Sequence, residues 1–523
     1  MDDINFGSKY DRQVRLWNSN GQQSLTESKI CIINVSTTAS ELLKNLVLPG
    51  VGSIVIIDSS KISQNDLSTN FFLQESDLGS YKAENLAKNL KILNPDISIT
   101  PITNLQLNSQ LFSSETSSTF WKSFDCVIYC SISNNSFIDN YQDQLSNLLW
   151  ELDIPLLKLS SIGFFAYLRI QLNEQTIIES HESNFYDLRI DHPWNSLQNY
   201  INSIDISYTK NENYYKIPYS IILTKLIQTF KYENDNKIPT TSQIRKCIKS
   251  LYKTGDESNL DEAYNKAYLI MKNSTNLSNN IKYIFNNVKC LNITKSSSLF
   301  WILTNALKSF YDIFHILPIT GILPDMESDT KEYINLKNLY TEKFNIDKKY
   351  IKEKVIKTLK SLDRSPNEIL NNEQLLDLFL KNSHYLKVIK GTKWDSIDKI
   401  LEIFKTDDEH LKNKALIYLA FLSFESYSKE YKMYPTINDN SKLRAIAISI
   451  LCKNKDIKTF PEGLEKMLDE LSRSNGNELH NICSIIGGIA AQEVIKILTN
   501  QYIPLDNCLV FNGITGKTSS FKL

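Results

Sequence analysis

Over the first 170 residues the apolar positions alternate between two rhythms. "KICIINV" (Lys29–Val35) is a short β-branched run, and "TASELLKNLVLP" (Thr38–Pro49) places Leu42, Leu43, Leu46 and Val47 at helical spacing. Gly50 follows as a helix C-cap, and "SIVIID" (Ser53–Asp58) is the next buried strand. "KAENLAKNLKILNP" reads as an amphipathic helix stopped by Pro95. "DCVIYCSI" and "IPLLKLSSIGFFAYLRIQL" add further strands. Strands alternating with helices predict a parallel sheet with right-handed crossovers.

From about residue 170 to about residue 475 the pattern is mostly helical, as in "SSLFWILTNALKSFYDIF", "YIKEKVIKTLKSL" and "KNKALIYLAFLSFESYSKEY", with connectors rich in Lys, Asn and Asp. No fixed-period repeat is visible. The last segment returns to the first style. "CSIIGGIAAQEVIKILTNQYIP" is a helix whose Gly487, Gly488, Ala490 and Ala491 allow close approach of another backbone, inside the domain or between subunits. "CLVFNGITGKTSSFKL" reads as strand, Gly-containing turn, strand. The expected architecture is therefore an α/β, Rossmann-like domain made of residues 1–170 and 476–523, with a large, mostly helical insertion over 171–475.

At 523 residues the chain is too long for one core. Its 58 basic and 59 acidic residues leave a formal charge of -1, which offers no footprint for nucleic acid or an anionic membrane. The longest uninterrupted apolar runs fall short of the roughly 18 residues that a membrane span needs. "MDDINFGSKYDRQ" lacks the character of a secretory signal. The eight cysteines are scattered, none in a CxxC pair, and the six histidines are dispersed. That distribution points to buried free thiols in a reducing compartment and to no metal site. The expectation is a soluble protein of the cytoplasm, the nucleus or both.

The strand–turn–helix–strand unit Lys29–Asp58 has the layout of a nucleotide-binding element, yet its turn lacks glycine. Such a turn needs glycines for a tight positive-φ bend and for a bare backbone whose amides reach phosphate at a helix N-terminus. Here the three fingerprint positions fall on Asn34, Ser36 and Ala39, with Thr37 and Thr38 between the last two. Asn34 tolerates a left-handed conformation, and Ala39 suits helix–strand packing. Ser36 and the stiff threonines put side chains where a pyrophosphate would lie. Asp58 stands where a ribose-binding acid would, or is simply a polar strand end. The turn reads as a pseudo-site, with no cofactor held by this chain.

"KYDRQVRLWNSNGQQSL" followed by this unit resembles the adenylation domains of enzymes that activate ubiquitin-like proteins. "ELLKNLVLPGVGS", "NFFLQ", "LNITK", "FWILTNALK", "GILPDM", "YINLKNLYTEK", "GGIAAQEVIKILT" and "FNGI", in that order, resemble the regulatory, non-cysteine subunits of heterodimeric neddylation-activating enzymes. The resemblance runs from about Lys9 to Leu523. It implies a dead adenylation half that pairs with a live one. Of the motifs that follow the glycine loop in active members, "NDLSTNFF" has Asp66 and Thr69 at the Asn and Arg positions. "LGSYKA" keeps Lys82, read as a helix-start surface lysine, and "YCSISNN" supplies no aspartate.

The resemblance also implies a role for Arg12. In the superfamily an arginine at this position reaches across a pseudo-twofold interface into the partner's ATP site. A guanidinium in trans offsets charge that builds on the phosphates when the modifier's C-terminal carboxylate attacks the α-phosphate. The alternative for Arg12 is an interface salt bridge, and Arg15 reads as structural. The thioester-forming cysteine of the superfamily has no counterpart among Cys247, Cys290 and Cys452, which read as structural thiols.

The function so implied is regulatory. With a catalytic subunit that binds ATP and Mg, this chain activates a Nedd/Rub-type ubiquitin-like modifier for transfer to a conjugating enzyme and thence to cullins. Two other readings stand beside it. One is the regulatory subunit for the SUMO-type modifier, whose insertion is much shorter than the roughly three hundred residues here. The other is a non-catalytic scaffold on the same fold.

Overall fold

A computed structural model describes residues 9–523, apart from 104–114, 132–141, 182–185, 207–215, 253–256, 272–273, 395–396, 454–456 and 458–459. The chain divides into two units, Met1–Gln175 with Ile389–Leu523, and Thr176–Val388.

The first unit is built on an eight-stranded mixed sheet. After helix α1 (Asp11–Glu27) come β1 (Lys29–Ile33), α2 (Thr37–Val47), β2 (Ser53–Ile57), α3 (Gln64–Thr69), α4 (Lys82–Leu93) and β3 (Ser98–Ile102). β4 (Cys126–Cys130), α5 (Gln142–Glu151), β5 (Leu156–Ile162) and β6 (Phe165–Gln171) follow, and β7 (Cys508–Asn512) and β8 (Lys517–Phe521) close the sheet. The strand order is β8-β7-β6-β5-β4-β1-β2-β3. β5, β4, β1, β2 and β3 run parallel, as the alternating pattern predicts. β6, β7 and β8 run antiparallel: Gly163 (φ 54) turns β5 back into β6, β6 pairs with β7, and the expected Gly-containing turn "NGITG" joins β7 to β8. β1 and β4 are neighbours although the chain runs outward from β1 to β3 between them, so the order reverses there. Crevices at such switch points are where open α/β sheets bind ligands.

The insertion is shorter than the sequence suggests. Residues 389–475, expected with the helical insertion, belong to the first unit. α9 (Glu409–Tyr431), α10 (Asn440–Cys452) and α11 (Leu464–Ser474) share a core with β6, β7 and β8. Tyr167 of β6 stacks edge-on against Tyr418 and Phe421 of α9, with centroids 5.2 and 4.9 Å away. Tyr167 also donates to Glu425, which pairs with Lys158 at 2.6 Å. Helical periodicity alone cannot tell a helix packed on a sheet from one packed on helices.

α12 (His480–Thr499) is, by length and composition alone, apolar enough to cross a membrane, although it holds no uninterrupted apolar run of that length. Most of it is buried, packed on α2 and on β5 and β6. Its small residues work inside the domain. A Cβ at Gly487 would lie 3.0 Å from Leu42 N and 3.2 Å from Thr38 O of α2. Gly488 faces away from that seam, with nothing closer to such a Cβ than Asn45 Nδ2 at 4.0 Å.

The second unit is almost wholly helical. α6 (Tyr219–Glu233), α7 (Leu299–Phe314) and the 32-residue α8 (Thr330–Ser361) carry its core through residues such as Leu223, Trp301, Tyr340 and Val355.

Candidate functional site

The turn at the C-terminal end of β1 is built as a phosphate cradle would be, but its donors are already in use. Asn34 takes the left-handed conformation (φ 68) that its side chain tolerates, and its Nδ2 donates to Cys130 O at 2.9 Å. Ser36 caps α2, its Oγ accepting from Ala39 N–H at 3.1 Å. The Ser40 N–H donates to Ser36 O. The two remaining first-turn amides, Thr37 and Thr38, donate to the two carboxylate oxygens of Glu478 at 2.7 and 3.2 Å. Thr38 Oγ1 adds a third bond to Glu478 at 2.6 Å. From Thr37 to Ser40 every N–H has a partner, so the orphan donors of a helix N-terminus are accounted for.

Glu478 arrives from the far end of the chain. It sits in the loop between α11 and α12, turned by left-handed Asn475 (φ 47) and Gly476 (φ 75). A Cβ at Gly476 would fall 2.5 Å from the Tyr434 ring, so only glycine fits. Gly163 N–H donates to Asn477 O at 2.9 Å and pins the same loop to the β5–β6 hairpin.

Asp58 is buried and structural. Its Oδ2 accepts from Val35 N–H, and its Oδ1 accepts from Ser60 N–H and Oγ, each at 2.6 Å. Of the two readings open to it, the geometry supports the polar strand end, whose carboxylate braces the turn. Lys82 differs from its expected place. Its side chain is only 14% exposed and its Nζ pairs with Asp66 at 2.6 Å. Asp66 also accepts from Ser63 N–H and Oγ at the start of α3. Two remnants of the nucleotide motifs thus neutralise each other. Thr69, at the arginine position, meets Thr37 Oγ1 through its own hydroxyl at 3.0 Å. The stretch after β4 where an aspartate would stand lies largely outside the described residues.

These residues do not fit a nucleotide phosphate. A carboxylate holds the amides a phosphate would take, the lysine is paired, and the aspartate has both oxygens engaged. The obstruction expected from the bulk of Ser36 and the threonines is delivered instead by Glu478. Sequence reasoning missed it; the nearest local signal is an acidic residue after an Asn-Gly turn, directly before the last apolar helix.

Arg12 is not part of this cluster. It lies exposed on the first turn of α1, with no hydrogen bond or ion pair among the described residues. Its helix is anchored on both sides. Lys9 bonds Asn94 and Asp96 at 2.6 and 2.8 Å, and Gln501 donates to Trp17 O at 2.9 Å beside a kink at Trp17–Asn18. Arg15 pairs with Asp11 on the same helix. Of the three thiols in the expected insertion, Cys290 is buried and its pKa is raised by desolvation. Cys247 is half-buried and Cys452 exposed. None is near a cluster of metal-binding groups, and no such cluster occurs among the described residues.

Comparison with known proteins finds relatives along the whole chain. The model of the ThiF family matches residues 10–523. The NEDD8-activating enzyme E1 regulatory subunit of Xenopus laevis is 31% identical, covering 98% of this chain and 98% of its own. The Drosophila melanogaster regulatory subunit is 32% identical over 98% and 97%. The Arabidopsis thaliana regulatory subunit AXR1 is 31% identical over 99% and 96%.

Proposed function

The chain belongs to the ThiF family and, within it, to the NEDD8-activating enzyme E1 regulatory subunits, and from that premise we propose how it acts. It is one half of a heterodimer whose other half is a catalytic subunit. The pair activates a NEDD8-type ubiquitin-like modifier: the partner's ATP site adenylates the modifier's C-terminal glycine, and a partner cysteine takes it as a thioester. A conjugating enzyme then receives it for cullin modification.

One observation carries this division of labour: Glu478 occupies the α2 amides on which an active adenylation half would hold phosphate. What this chain contributes is therefore shape and reach. Its sheet and α12 build the inactive half of a pseudodimer, and its second unit supplies a wall for the modifier. Arg12 is the residue that crosses. A guanidinium on an anchored helix, exposed and with no partner among the described residues, suits charge that develops on a phosphate outside this chain.

Co-expression with a catalytic subunit and an assay of modifier-dependent pyrophosphate exchange tests the reading. Exchange is expected only when both chains are present. Exchange by this chain alone, or full exchange by the catalytic subunit without it, contradicts it.

A further inference from the structure

We propose that Glu478 is a built-in anion, a carboxylate that permanently takes the place of phosphate at the N-terminus of α2. Three features separate it from an ordinary helix cap. The capping role is already filled by Ser36, so Glu478 is a second acceptor, placed where a ligand would sit. It belongs to a segment 441 positions away in sequence, whereas caps are local. No lysine, arginine or histidine pairs with it among the described residues, so its charge is met by two amides, the Thr38 hydroxyl, the Cys483 thiol and the helix dipole. That is the set of donors a phosphate oxygen draws on.

The arm that carries it is tied down by its own neighbours. Asn475 and Gly476 are left-handed, Tyr434 packs on Gly476, and Gly163 holds Asn477. Here the amides of the turn are held by the chain itself. The side chains of the turn leave room for this. Thr37 Oγ1 is drawn to Thr69, Ser36 Oγ to the Ala39 amide and Thr38 Oγ1 to Glu478. Taking away the carboxylate therefore frees two amides and a hydroxyl on an intact cradle. The inference takes from the proposed function only that the unaltered chain binds no nucleotide.

Inorganic pyrophosphate is the probe, titrated into the full chain by calorimetry against chloride of matched ionic strength. Glu478→Ala should bind it at least about tenfold more tightly than the unaltered protein, a gain of about 1.4 kcal/mol. Amide exchange at Thr37 and Thr38 should speed up in that variant and slow again when pyrophosphate is added. Glu478→Gln keeps an acceptor for the fold while removing the charge that competes with an anion. It too should gain affinity, by less, and it serves if the alanine variant does not fold. No gain in either variant overturns the proposal, as does pyrophosphate binding by the unaltered chain as tight as by the variants. Pyrophosphate exchange by the assembled pair is read separately, so failure here leaves the regulatory role standing.

Discussion

Glu478 and Thr37 meet at 2.7 Å, carboxylate oxygen to backbone N–H, across almost the whole length of the chain. The contact joins the first βα turn to the loop that precedes the last helix. It turns an element laid out for phosphate into a closed joint.

Arg12→Ala is expected to slow modifier adenylation by the reconstituted pair by about tenfold to a thousandfold, at or below the low end for arginine fingers in phosphoryl transfer. The pair should still elute as a heterodimer. Arg12→Lys should restore little of the rate, because an ammonium cannot make the bidentate contact. Single-turnover adenylate formation is the measurement, and an unchanged rate for Arg12→Ala reduces the residue to a structural contact.

The two adjacent glycines of α12 should respond in opposite directions. Gly487→Ala drives a methyl against the α2 backbone at Leu42 and Thr38, costing about 1–3 kcal/mol. Gly488→Ala meets only open space near Asn45 and gains helix propensity, up to about 1 kcal/mol. Denaturant unfolding of the two variants decides it. Equal effects would mean that α12 packs on another face.

That contrast shows what was legible in the sequence. A stripe of small residues announced a close approach, but only the rotation of α12 assigns Gly487 to α2. Asn34 was readable because its left-handed turn is a local property, and so was the loss of glycine between Asn34 and Ala39. Glu478 was not, since no local rule links a carboxylate to amides hundreds of positions away. The boundary at Ile389 was hidden for another reason. α9 buries Tyr418 and Phe421 against Tyr167 of the sheet with the same period it would show in a helical bundle.

Replacing Cys247, Cys290 and Cys452 by alanine together should leave thioester formation on the assembled pair intact. Cys290 is buried with its pKa raised by desolvation, which disfavours the thiolate. A non-reducing gel shift of the modifier onto the complex is the assay. Loss of that band would place the nucleophile in this chain.

Acid should loosen the second unit at one identifiable point. Burial pushes the Asp187 carboxyl up, but the Arg189 guanidinium, which donates to it at 2.8 Å, and His384 outweigh burial and hold it at about 2. The folded value lies below the unfolded value of about 3.9, so this stabilisation is full above that pH and lost as pH falls toward 2. Asp187→Asn should strand Arg189, cost about 3–5 kcal/mol and flatten the acid dependence. Circular dichroism across that window checks it, and identical acid profiles for the two proteins would rule out Asp187 as the group responsible.

The claim that this half lends its fold to another's pocket is tested most directly by counting ATP on the purified heterodimer. Equilibrium dialysis with saturating ATP should give one nucleotide per pair, and none on this chain alone. Two per pair, or micromolar binding to the isolated chain, would contradict the account.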